Sequence, residues 1–341
     1  MQKKSCQFSS KKVDYYFDAD FTMLEKLAGK EHTVIITDEN IFQAQAKKFK
    51  GWNCIVLKPG EAFKVQATVD SVIEQLIKSG ADRKTTLVGV GGGVVTDLTG
   101  YVAAIYMRGI RCGFVPSTIL AMVDASIGGK NGVDVGIYKN LVGTIRQPDF
   151  LLYDYSLLKT LPDAEWINGF AEIIKHSCIR DLAMFKELES KKLNFYKKDK
   201  SALGKLILRN AMLKSKVVEK DEFEQGDRRL LNFGHTLGHA IENMYELSHG
   251  QAIAIGMTAA CHLSAGLAGF KETERVVNVL EQYGLPTYAE YDHNAAFEVL
   301  KKDKKKERAS MNYVLLSKIG KGIVQQIPMN QLQTLIQELP A

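Results

Sequence analysis

Three histidines within fifteen residues of one another have a spacing that suits a metal ion. His235 and His239 are four residues apart in a helical pattern, so their imidazoles lie on one helix face, and His249 begins the next helical pattern. Two histidines and one carboxylate leave an open position on a catalytic zinc ion. The best carboxylate is Glu172, because apolar residues flank it in a helical pattern where an unpaired charge would be costly. The pattern predicts a metal site but leaves open which two histidines bind, with His176 as a competing candidate.

A second feature with chemical potential is the glycine run Gly91-Gly92-Gly93, which joins a strand pattern to a helical pattern. Free N–H groups at the start of a helix attract a pyrophosphate, and glycine lets a ligand approach the main chain. The spacing is not the GxGxxG dinucleotide fingerprint. We therefore predict a cofactor phosphate here, with a tight turn that binds no ligand as the alternative.

Small, hydroxylated and glycine residues dominate the stretch from 116 to 134, which contains Gly128-Gly129-Lys130. We predict a functional loop, because loops of about 20 residues in compact domains usually carry function. The position of Lys130 after paired glycines favours contact with an anion over a solvated surface lysine.

Further basic residues lie at Lys175, Lys214 and Arg228 and in the run from 301 to 308. That run is typical of a solvated face, and no aromatic platform for nucleic acid is interleaved with it. With 45 Lys+Arg against 39 Asp+Glu, the net charge of +6 is also below that of a dedicated nucleic-acid binder. A small anionic substrate fits better, and we expect no nucleic-acid partner.

The elements that must position these residues divide the 341-residue chain into two predicted domains, residues 1–155 and 156–341. Strand patterns at residues 33–37, 54–57, 85–90 and 112–115 alternate with helical ones, which is typical of an α/β domain with a mostly parallel sheet. Helical patterns follow at residues 164–179, 202–220, 235–245, 252–268 and 273–283. The second domain is therefore predicted to be helical, with the apolar run 313–316 as either a strand or a connecting segment.

The location of the protein is predicted from signals that the sequence lacks. No apolar run approaches 18 residues, and the basic N-terminus is not followed by a secretory signal, so we expect no membrane span and a cytoplasmic protein. The five cysteines are odd in number and contain no CxxC pair, which predicts buried thiols.

From about residue 38 to 320, the chain resembles the 3-dehydroquinate synthase family of the sugar-phosphate cyclases. The matching segments are Pro59-Gly60-Glu61, the glycine turn through Asp97, Tyr106-Met107-Arg108-Gly109, Met122-Val123-Asp124, Gly128-Gly129-Lys130, Lys139-Asn140, the helix of Glu172, residues 214–224, 228–239, His249-Gly250 and Asp303-Lys304-Lys305. Together these segments are highly specific. The departure at Asp134-Val135-Gly136 and the short spacer between His239 and His249 change no residue named above.

The resemblance implies a Rossmann-like domain that holds NAD, a helical domain that holds Zn or Co, and a homodimer. It implies the metal ligands Glu172, His235 and His249. It places NAD on Asp38, Asn40, Glu61, Lys64, Gly93, Val94, Val95, Thr96, Asp97, Ser117, Thr118, Lys130, Lys139, Leu157, Leu158, Lys159 and Thr160. It places the substrate phosphate on Lys130, Asn140, His239 and one of Lys304 and Lys305, with Arg108 of the neighbouring subunit as a further contact. The remaining polar residues that it places around the substrate are Lys175, Lys214, Arg228, Asn232, Asp124 and Glu224.

The implied reaction converts 3-deoxy-D-arabino-heptulosonate 7-phosphate into 3-dehydroquinate and phosphate. NAD transiently oxidises the C5 hydroxyl, phosphate is eliminated, the hydride returns, and an aldol step closes the ring. One alternative is a cyclase for a substrate without a carboxylate, such as sedoheptulose 7-phosphate or glucose 6-phosphate. Others are a metal-dependent alcohol or glycerol dehydrogenase and a catalytically inactive binding protein. The cations Lys175 and Arg228 favour a carboxylated substrate.

Overall fold

The computed structural model describes residues 1–136, 138–303 and 309–339, without the side chains of residues 302 and 303. The chain forms two compact units: Met1–Trp166 with Lys200–Phe223, and Ile167–Asp199 with Glu224–Ala341. The first unit extends past the boundary expected after residue 155 and also includes a helix from the second half of the sequence.

Strands and helices are numbered in chain order. The strands are β1 (Gln2–Gln7), β2 (Lys12–Phe17), β3 (Thr33–Asp38), β4 (Asn53–Leu57), β5 (Thr86–Gly91), β6 (Arg111–Pro116), β7 (Lys130–Val135), β8 (Tyr138–Ile145), β9 (Phe150–Tyr153), β10 (Ser310–Lys318) and β11 (Lys321–Pro328). The helices are α1 (Met23–Ala28), α2 (Glu39–Ala44), α3 (Ala46–Phe49), α4 (Gln66–Lys78), α5 (Gly93–Ile105), α6 (Asp163–Arg180), α7 (Leu182–Ser190), α8 (Leu193–Lys198), α9 (Lys200–Lys220), α10 (His235–Met244), α11 (His249–Ala268), α12 (Thr273–Gln282), α13 (His293–Asp303) and α14 (Met329–Gln337).

The first unit is built on a seven-stranded sheet in the order β1-β2-β9-β6-β5-β3-β4. Every neighbouring pair is parallel except β1 and β2. The central strand β5 is buried at every position, because a parallel sheet is covered on both faces. This sheet confirms the α/β prediction and all four strand patterns. The sequence patterns did not predict β1, β2 and β9.

The stretch from 116 to 134 is not the long loop that we expected. It forms one π-helical turn over Ala121–Ala125 and then β7, which pairs with β8 in an antiparallel hairpin. Glycine composition suggested a loop, but Gly132 is needed for strand pairing, since an added Cβ would lie 2.4 Å from the carbonyl oxygen of Val142. The ordered hairpin therefore positions Lys130 and Asn140.

The second unit is mainly helical and also contains the two-stranded antiparallel sheet β10–β11. The five helical patterns of the second half appear as α6, α9, α10, α11 and α12, and α9 belongs to the first unit. The apolar run 313–316 lies in β10 and is therefore a strand. Its partner β11 lies beyond that run and had no clear signal of its own.

One helix among the described residues, α11, is long and apolar enough to cross a membrane by length and composition. The sequence of α11 contains no continuous apolar run of that length, because small and polar residues are interspersed along it. Of its most apolar window, 67% is buried inside the protein, as in a core helix. The five cysteines are unpaired, and all but Cys54 are buried, as predicted.

Helix α5 packs against β7 at Gly100, which leads to a stability prediction. A Cβ at Gly100 would lie 2.0 Å from the side-chain oxygen of buried Asn131, so Gly100→Ala should lower the free energy of unfolding by about 1–3 kcal/mol through overpacking. In contrast, Gly266→Ala in α11 meets nothing within 4 Å and should stabilise by about 0.5–1 kcal/mol. Urea denaturation followed by circular dichroism measures both, and equal effects of the two substitutions would contradict the packing argument.

Candidate functional site

Three side chains from three helices of the second unit converge on one point. Glu172 from α6 is fully buried, and its Oε1 lies 3.4 Å from Nε2 of His235 and 3.2 Å from Nε2 of His249. All three ligand atoms lie within 4.8 Å of one another. Two imidazole nitrogens and a carboxylate oxygen facing one another fit a divalent metal with an open coordination position.

Glycines allow α10 and α11 to approach closely enough to bring these histidines together. A Cβ at Gly256 would lie 2.0 Å from the carbonyl oxygen of Gly234, and one at Gly238 would lie 2.9 Å from that of Ala252. Gly234 precedes His235 and has a φ of 79°, a left-handed conformation that glycine adopts at little cost. The rings of His235 and His249 consequently lie 5.5 Å apart.

The opposite nitrogen of each histidine has its own partner. Nδ1 of His235 lies 3.2 Å from the carbonyl oxygen of Phe233, and Nδ1 of His249 lies 3.6 Å from Oε2 of Glu242. Such partners orient metal-binding imidazoles and direct the other nitrogen towards the ion. Here they direct both Nε2 atoms towards Glu172.

The surroundings of the cluster shift the pKa values of His235 and His249 in opposite directions. Burial, assisted by the charge of Lys175, lowers the pKa of His235 well below its usual value, so the ring is neutral and able to bind metal. Burial also acts to lower the pKa of His249, but Glu172 and Glu242 outweigh it and raise that pKa to about 9. The two carboxylates that stabilise a protonated imidazole would also stabilise a bound metal ion.

The other predicted residues of this helical unit lie at different distances from the cluster. The ring of His239 is 5.1 Å from that of His235, and His239 also forms a second group with Glu242 and His249. His176, the competing candidate, belongs to neither group, although one of its ring nitrogens lies within 4.8 Å of an oxygen of Glu172. The ammonium of Lys175 forms a buried ion pair with Glu172.

The predicted residues Glu224, Arg228 and Asn232 lie in or next to one short helical turn of this unit. The amide of Asn232 donates to Oε1 of Glu224, which has a φ of 59°. Arg228 is 3% exposed on a short helical turn over Asp227–Asn232. A buried guanidinium is suited to bind a carboxylate through paired hydrogen bonds.

In the first unit, some of the predicted cofactor residues lie at the carboxyl ends of parallel strands. After β3 the chain proceeds to β4 on one side, and after β5 it proceeds to β6 on the other. A crevice therefore forms between the carboxyl ends of β3 and β5. Asp38 ends β3 and Gly93 begins the helix after β5, so both predicted residues border this crevice.

The start of α5 presents main-chain N–H groups with no side-chain cap, since its N-cap is Gly92. The Gly92 Cα faces Thr118, whose Cγ2 would lie 3.2 Å from an added Cβ. Val95 and Thr96 are buried, and the hydroxyl of Thr96 donates to the carbonyl oxygen of Gly93. Leu157 and Leu158 are also buried, whereas Lys159 and Thr160 are exposed.

Among the buried hydroxyls that have no hydrogen-bond partner in the described residues, two lie at the carboxyl ends of the strands that flank β5. They are Oγ1 of Thr37 in β3 and Oγ of Ser117 after β6. A buried polar group of this kind usually has a partner, which a bound cofactor would supply. Ser117 was predicted, whereas Thr37 was missed because a threonine in a strand carries no functional signal.

Lys64 is a buried residue that joins three segments of the first unit. Its ammonium lies 2.7 Å from Oδ2 of Asp97, 2.6 Å from Oδ1 of Asn140 and 3.6 Å from Oε1 of Glu61. Burial raises the pKa of Asp97, although Lys64 counteracts it. Lys64 therefore positions α5 relative to the β7–β8 hairpin. This structural role is separate from the predicted contact of Lys64 with a cofactor.

The remaining predicted residues of the first unit fall into one ion pair and several partly exposed positions. Lys214 of α9 lies 2.8 Å from Oδ1 of Asp124. The remaining positions, all exposed or partly exposed, are Asn40, Val94, Arg108, Lys130, Lys139 and Asn140. Lys304 and Lys305 lie outside the described residues.

The sequence did not indicate three residues that hold predicted site residues, or their neighbours in sequence, in position. Asn168 lies one turn before Glu172 and accepts a hydrogen bond from the N–H of Gly250, beside His249. Glu242 faces His249, and Arg146 bonds to three segments of the first unit. Their spacing was the signal that the sequence offered. Asn168 lies four residues before Glu172, and Glu242 lies four residues after Gly238, so the members of each pair share a helix face.

The buried pair of Lys64 and Asp97 leads to a prediction. Lys64→Met leaves the Asp97 carboxylate, whose side chain is 15% exposed, without its cation, so the free energy of unfolding should fall by about 3 kcal/mol at neutral pH. Lys78→Met is the matched control, because Lys78 is 76% exposed in its pair with Glu74 and should change stability by less than about 1 kcal/mol. Urea midpoints of the two variants measure the difference, and similar midpoints would refute a supporting role for Lys64.

Known proteins resemble this chain over most of its length. Residues 54–168 match the family model of the 3-dehydroquinate synthase N-terminal domain, and residues 169–306 match that of the C-terminal domain. The 3-dehydroquinate synthase of Campylobacter curvus is 37% identical, covering 91% of this chain and 92% of that protein. The one of Pelobacter propionicus is 41% identical, with coverages of 82% and 80%.

A solved 2-deoxy-scyllo-inosose synthase, complexed with carbaglucose-6-phosphate, NAD⁺ and Co²⁺, is 26% identical with a TM-score of 0.86 and covers 99% of both chains. This likeness extends over both units, while the identity to the synthases from Campylobacter and Pelobacter is higher. The sequence motifs, the matched domains and these identities agree, and the chain belongs to the 3-dehydroquinate synthase family.

Proposed function

We propose that this enzyme converts 3-deoxy-D-arabino-heptulosonate 7-phosphate into 3-dehydroquinate and phosphate, with NAD and one divalent metal as cofactors. The convergence of Glu172, His235 and His249 is the observation that carries the proposal. It supplies the metal chemistry that a simple nucleotide-binding protein lacks, and it occurs in a chain of the 3-dehydroquinate synthase family.

We assign the metal to Glu172, His235 and His249. Zn²⁺ and Co²⁺ both suit two imidazoles and a carboxylate. When bound, the metal favours ionisation of a substrate hydroxyl, and NAD transiently accepts and returns a hydride. Lys175 balances the charge of Glu172, and Phe233 and Glu242 hold the imidazoles in orientation.

We assign NAD to the carboxyl ends of the parallel strands. The main-chain N–H groups of Gly93, Val94 and Val95 suit the pyrophosphate, because α5 begins there without a side-chain cap and the N–H of Thr96 already donates to the carbonyl oxygen of Gly92. Thr96 and Asp97 follow in the same turn as further proposed contacts. Ser117 supplies a buried hydroxyl without a partner among the described residues. The further cofactor contacts that we propose are Asp38, Asn40, Glu61, Lys64, Thr118, Lys130, Lys139 and the segment 157–160.

The substrate would be held by the cationic and amide side chains. Arg228, Lys175 and Lys214 suit its carboxylate and hydroxyls, with Asn232, Asp124 and Glu224 as polar neighbours. The phosphate would be bound by Lys130, Asn140 and His239, with Lys304 or Lys305 and with Arg108 from a second subunit. Holding one flexible molecule by both ends lowers the entropic cost of cyclisation.

Two rival functions differ from this one in what they release or accumulate. A cyclase for a substrate without a carboxylate would not need the buried guanidinium of Arg228. A metal-dependent alcohol or glycerol dehydrogenase would accumulate NADH, whereas the synthase regenerates NAD in each turnover.

The test is phosphate release from 3-deoxy-D-arabino-heptulosonate 7-phosphate with catalytic NAD and Zn²⁺ or Co²⁺. We expect stoichiometric 3-dehydroquinate, identified by mass and NMR, with no accumulation of NADH and with inhibition by a chelator. Glu172→Gln should lower both metal affinity and turnover by at least about 100-fold, because it removes a proposed ligand. Glu246→Gln, at an exposed position, should retain both.

Release of phosphate from sedoheptulose 7-phosphate alone would refute the substrate assignment and favour the rival cyclase. Steady accumulation of NADH from a simple alcohol would favour the dehydrogenase. A chelator-insensitive reaction, or a Glu172→Gln variant that binds metal as the unmodified enzyme does, would refute the metal assignment.

We also propose that the enzyme is a cytoplasmic homodimer that contacts its partner through an apolar patch. The patch comprises exposed side chains of the β7–β8 hairpin and of the end of α5: Val135, Tyr138, Leu141, Val142, Ile145, Ile105 and Met107, which are 38–68% exposed. Arg108 follows Met107, so a second copy on this patch would receive its guanidinium. Several exposed apolar side chains on neighbouring elements often mark an interaction site. The free cysteines are consistent with a reducing compartment.

Leu141→Lys should convert the dimer into a monomer, because Leu141 is the most exposed residue of the patch and a buried lysine charge would oppose association. Sedimentation velocity at micromolar concentration measures the change. Leu182→Lys, which replaces an apolar side chain that is 40% exposed in the second unit, is the control and should remain dimeric. A monomeric unmodified enzyme would refute the dimer proposal.

A further inference from the structure

The turn between α5 and β6 contains two consecutive non-glycine residues in left-handed conformation. Met107 has a φ of 47° and Arg108 a φ of 65°, and Gly109 follows with a φ of 116°. Non-glycine residues in this conformation are strained and persist only where their surroundings hold them. Strained backbone of this type is concentrated at functional sites.

The guanidinium of Arg146, which follows β8, holds this turn. Its Nη1 donates to the carbonyl oxygen of Ala103 at 2.8 Å, and its Nη2 donates to that of Ile110 at 2.7 Å. The N–H of Ile110 also donates to the oxygen of Ala103, at 2.9 Å. Arg146 therefore bridges the residues on both sides of the strained turn with a planar two-pronged donor.

The position of this guanidinium is favourable in charge and in shape. The carbonyl of Ala103 belongs to the last turn of α5, where a positive charge stabilises the helix end. A Cβ at Gly109 would lie 2.6 Å from Nη1, so the guanidinium packs directly against the glycine of the turn. The turn and Arg146 fit each other closely.

The main chain of Arg146 contacts the segment that contains Lys130. Its N–H donates to the carbonyl oxygen of Gly129 at 2.7 Å, and its carbonyl accepts from the side-chain amide of Asn131 at 3.0 Å. One residue thus holds the residues on both sides of Lys130 with its main chain and the turn of Arg108 with its side chain.

We propose that Arg146 is a positioning residue for anion binding: its guanidinium fixes the left-handed turn that presents Arg108 for the substrate phosphate. This inference rests on the phosphate role proposed for Arg108. Substituting Arg146 leaves its main-chain bonds beside Lys130 in place, so the substitution acts on the turn of Arg108 alone.

The experiment measures the Kd of inorganic phosphate by titration calorimetry on the enzyme loaded with NAD and Zn²⁺, together with KM and kcat. Arg146→Met should raise the phosphate Kd and the substrate KM by about tenfold, since a charged hydrogen bond to phosphate is lost or misaligned. A purely structural defect would lower the active fraction, and hence the apparent kcat, while leaving Kd and KM unchanged.

A double-mutant cycle with Arg108→Ala separates positioning from an independent contribution. In the Arg108→Ala background, Arg146→Met should have no further effect on the phosphate Kd. Arg146→Lys, which keeps the charge but loses the two-pronged geometry, should also weaken binding and serves if the methionine variant does not fold. Arg111→Met removes an exposed arginine at the start of β6 and should retain the Kd of the unmodified enzyme.

Unchanged phosphate Kd values in Arg146→Met and Arg146→Lys would overturn the inference, as would effects that add fully to that of Arg108→Ala. A normal Kd in Arg108→Ala would overturn it as well, while leaving the proposed reaction intact. Failure of the unmodified enzyme to release phosphate from the substrate would instead refute the proposed function. The binding measurement, which does not require turnover, would still test Arg146.

Discussion

The buried carboxylate of Glu172 imposes the main constraint on the second unit. An ionised group without solvent requires cationic or hydrogen-bonding partners, and the protein supplies Lys175 within α6 and His235 and His249 from two other helices. Each of these helices must bring its side chain to the same carboxylate. The glycines between α10 and α11 and the bond from Gly250 to Asn168 satisfy that requirement.

A buried lysine has a comparable role in the first unit. Lys64 holds Asp97 at the start of α5 and Asn140 in the β7–β8 hairpin, two elements that contain residues of the proposed cofactor and phosphate sites. A buried ion pair is an expensive way to gain stability, but removing either partner is more costly still. The pair therefore fixes the relation between helix and hairpin more strictly than apolar contacts alone would. Arg146 adds a second connection between the hairpin and α5.

Much of the architecture followed from local pattern. Apolar runs identified β3, β5 and β6, because strands covered on both faces need apolar side chains throughout. The edge strand β4 was identified from its shorter apolar run, although it is only partly buried. The β7–β8 hairpin escaped prediction because its outward side chains and its glycines resemble a loop in composition. The N-terminal strands escaped because β1 is a polar edge strand whose partner is β2. Such pairings depend on neighbours that a local window does not contain.

By itself, the sequence determined the kinds of chemical group available and their local spacing: histidines four apart, a glycine turn before a helix, and motifs specific enough to indicate the family. It left open which histidines share a carboxylate, since Glu172 and His249 are 77 residues apart in sequence. Only the tertiary structure decided that His235 and His249 face the same oxygen of Glu172, that the Lys64 ammonium meets Asp97 and Asn140, and that Arg146 bridges a strained turn. These contacts join distant segments, and they form only where helix packing and sheet order bring those segments together.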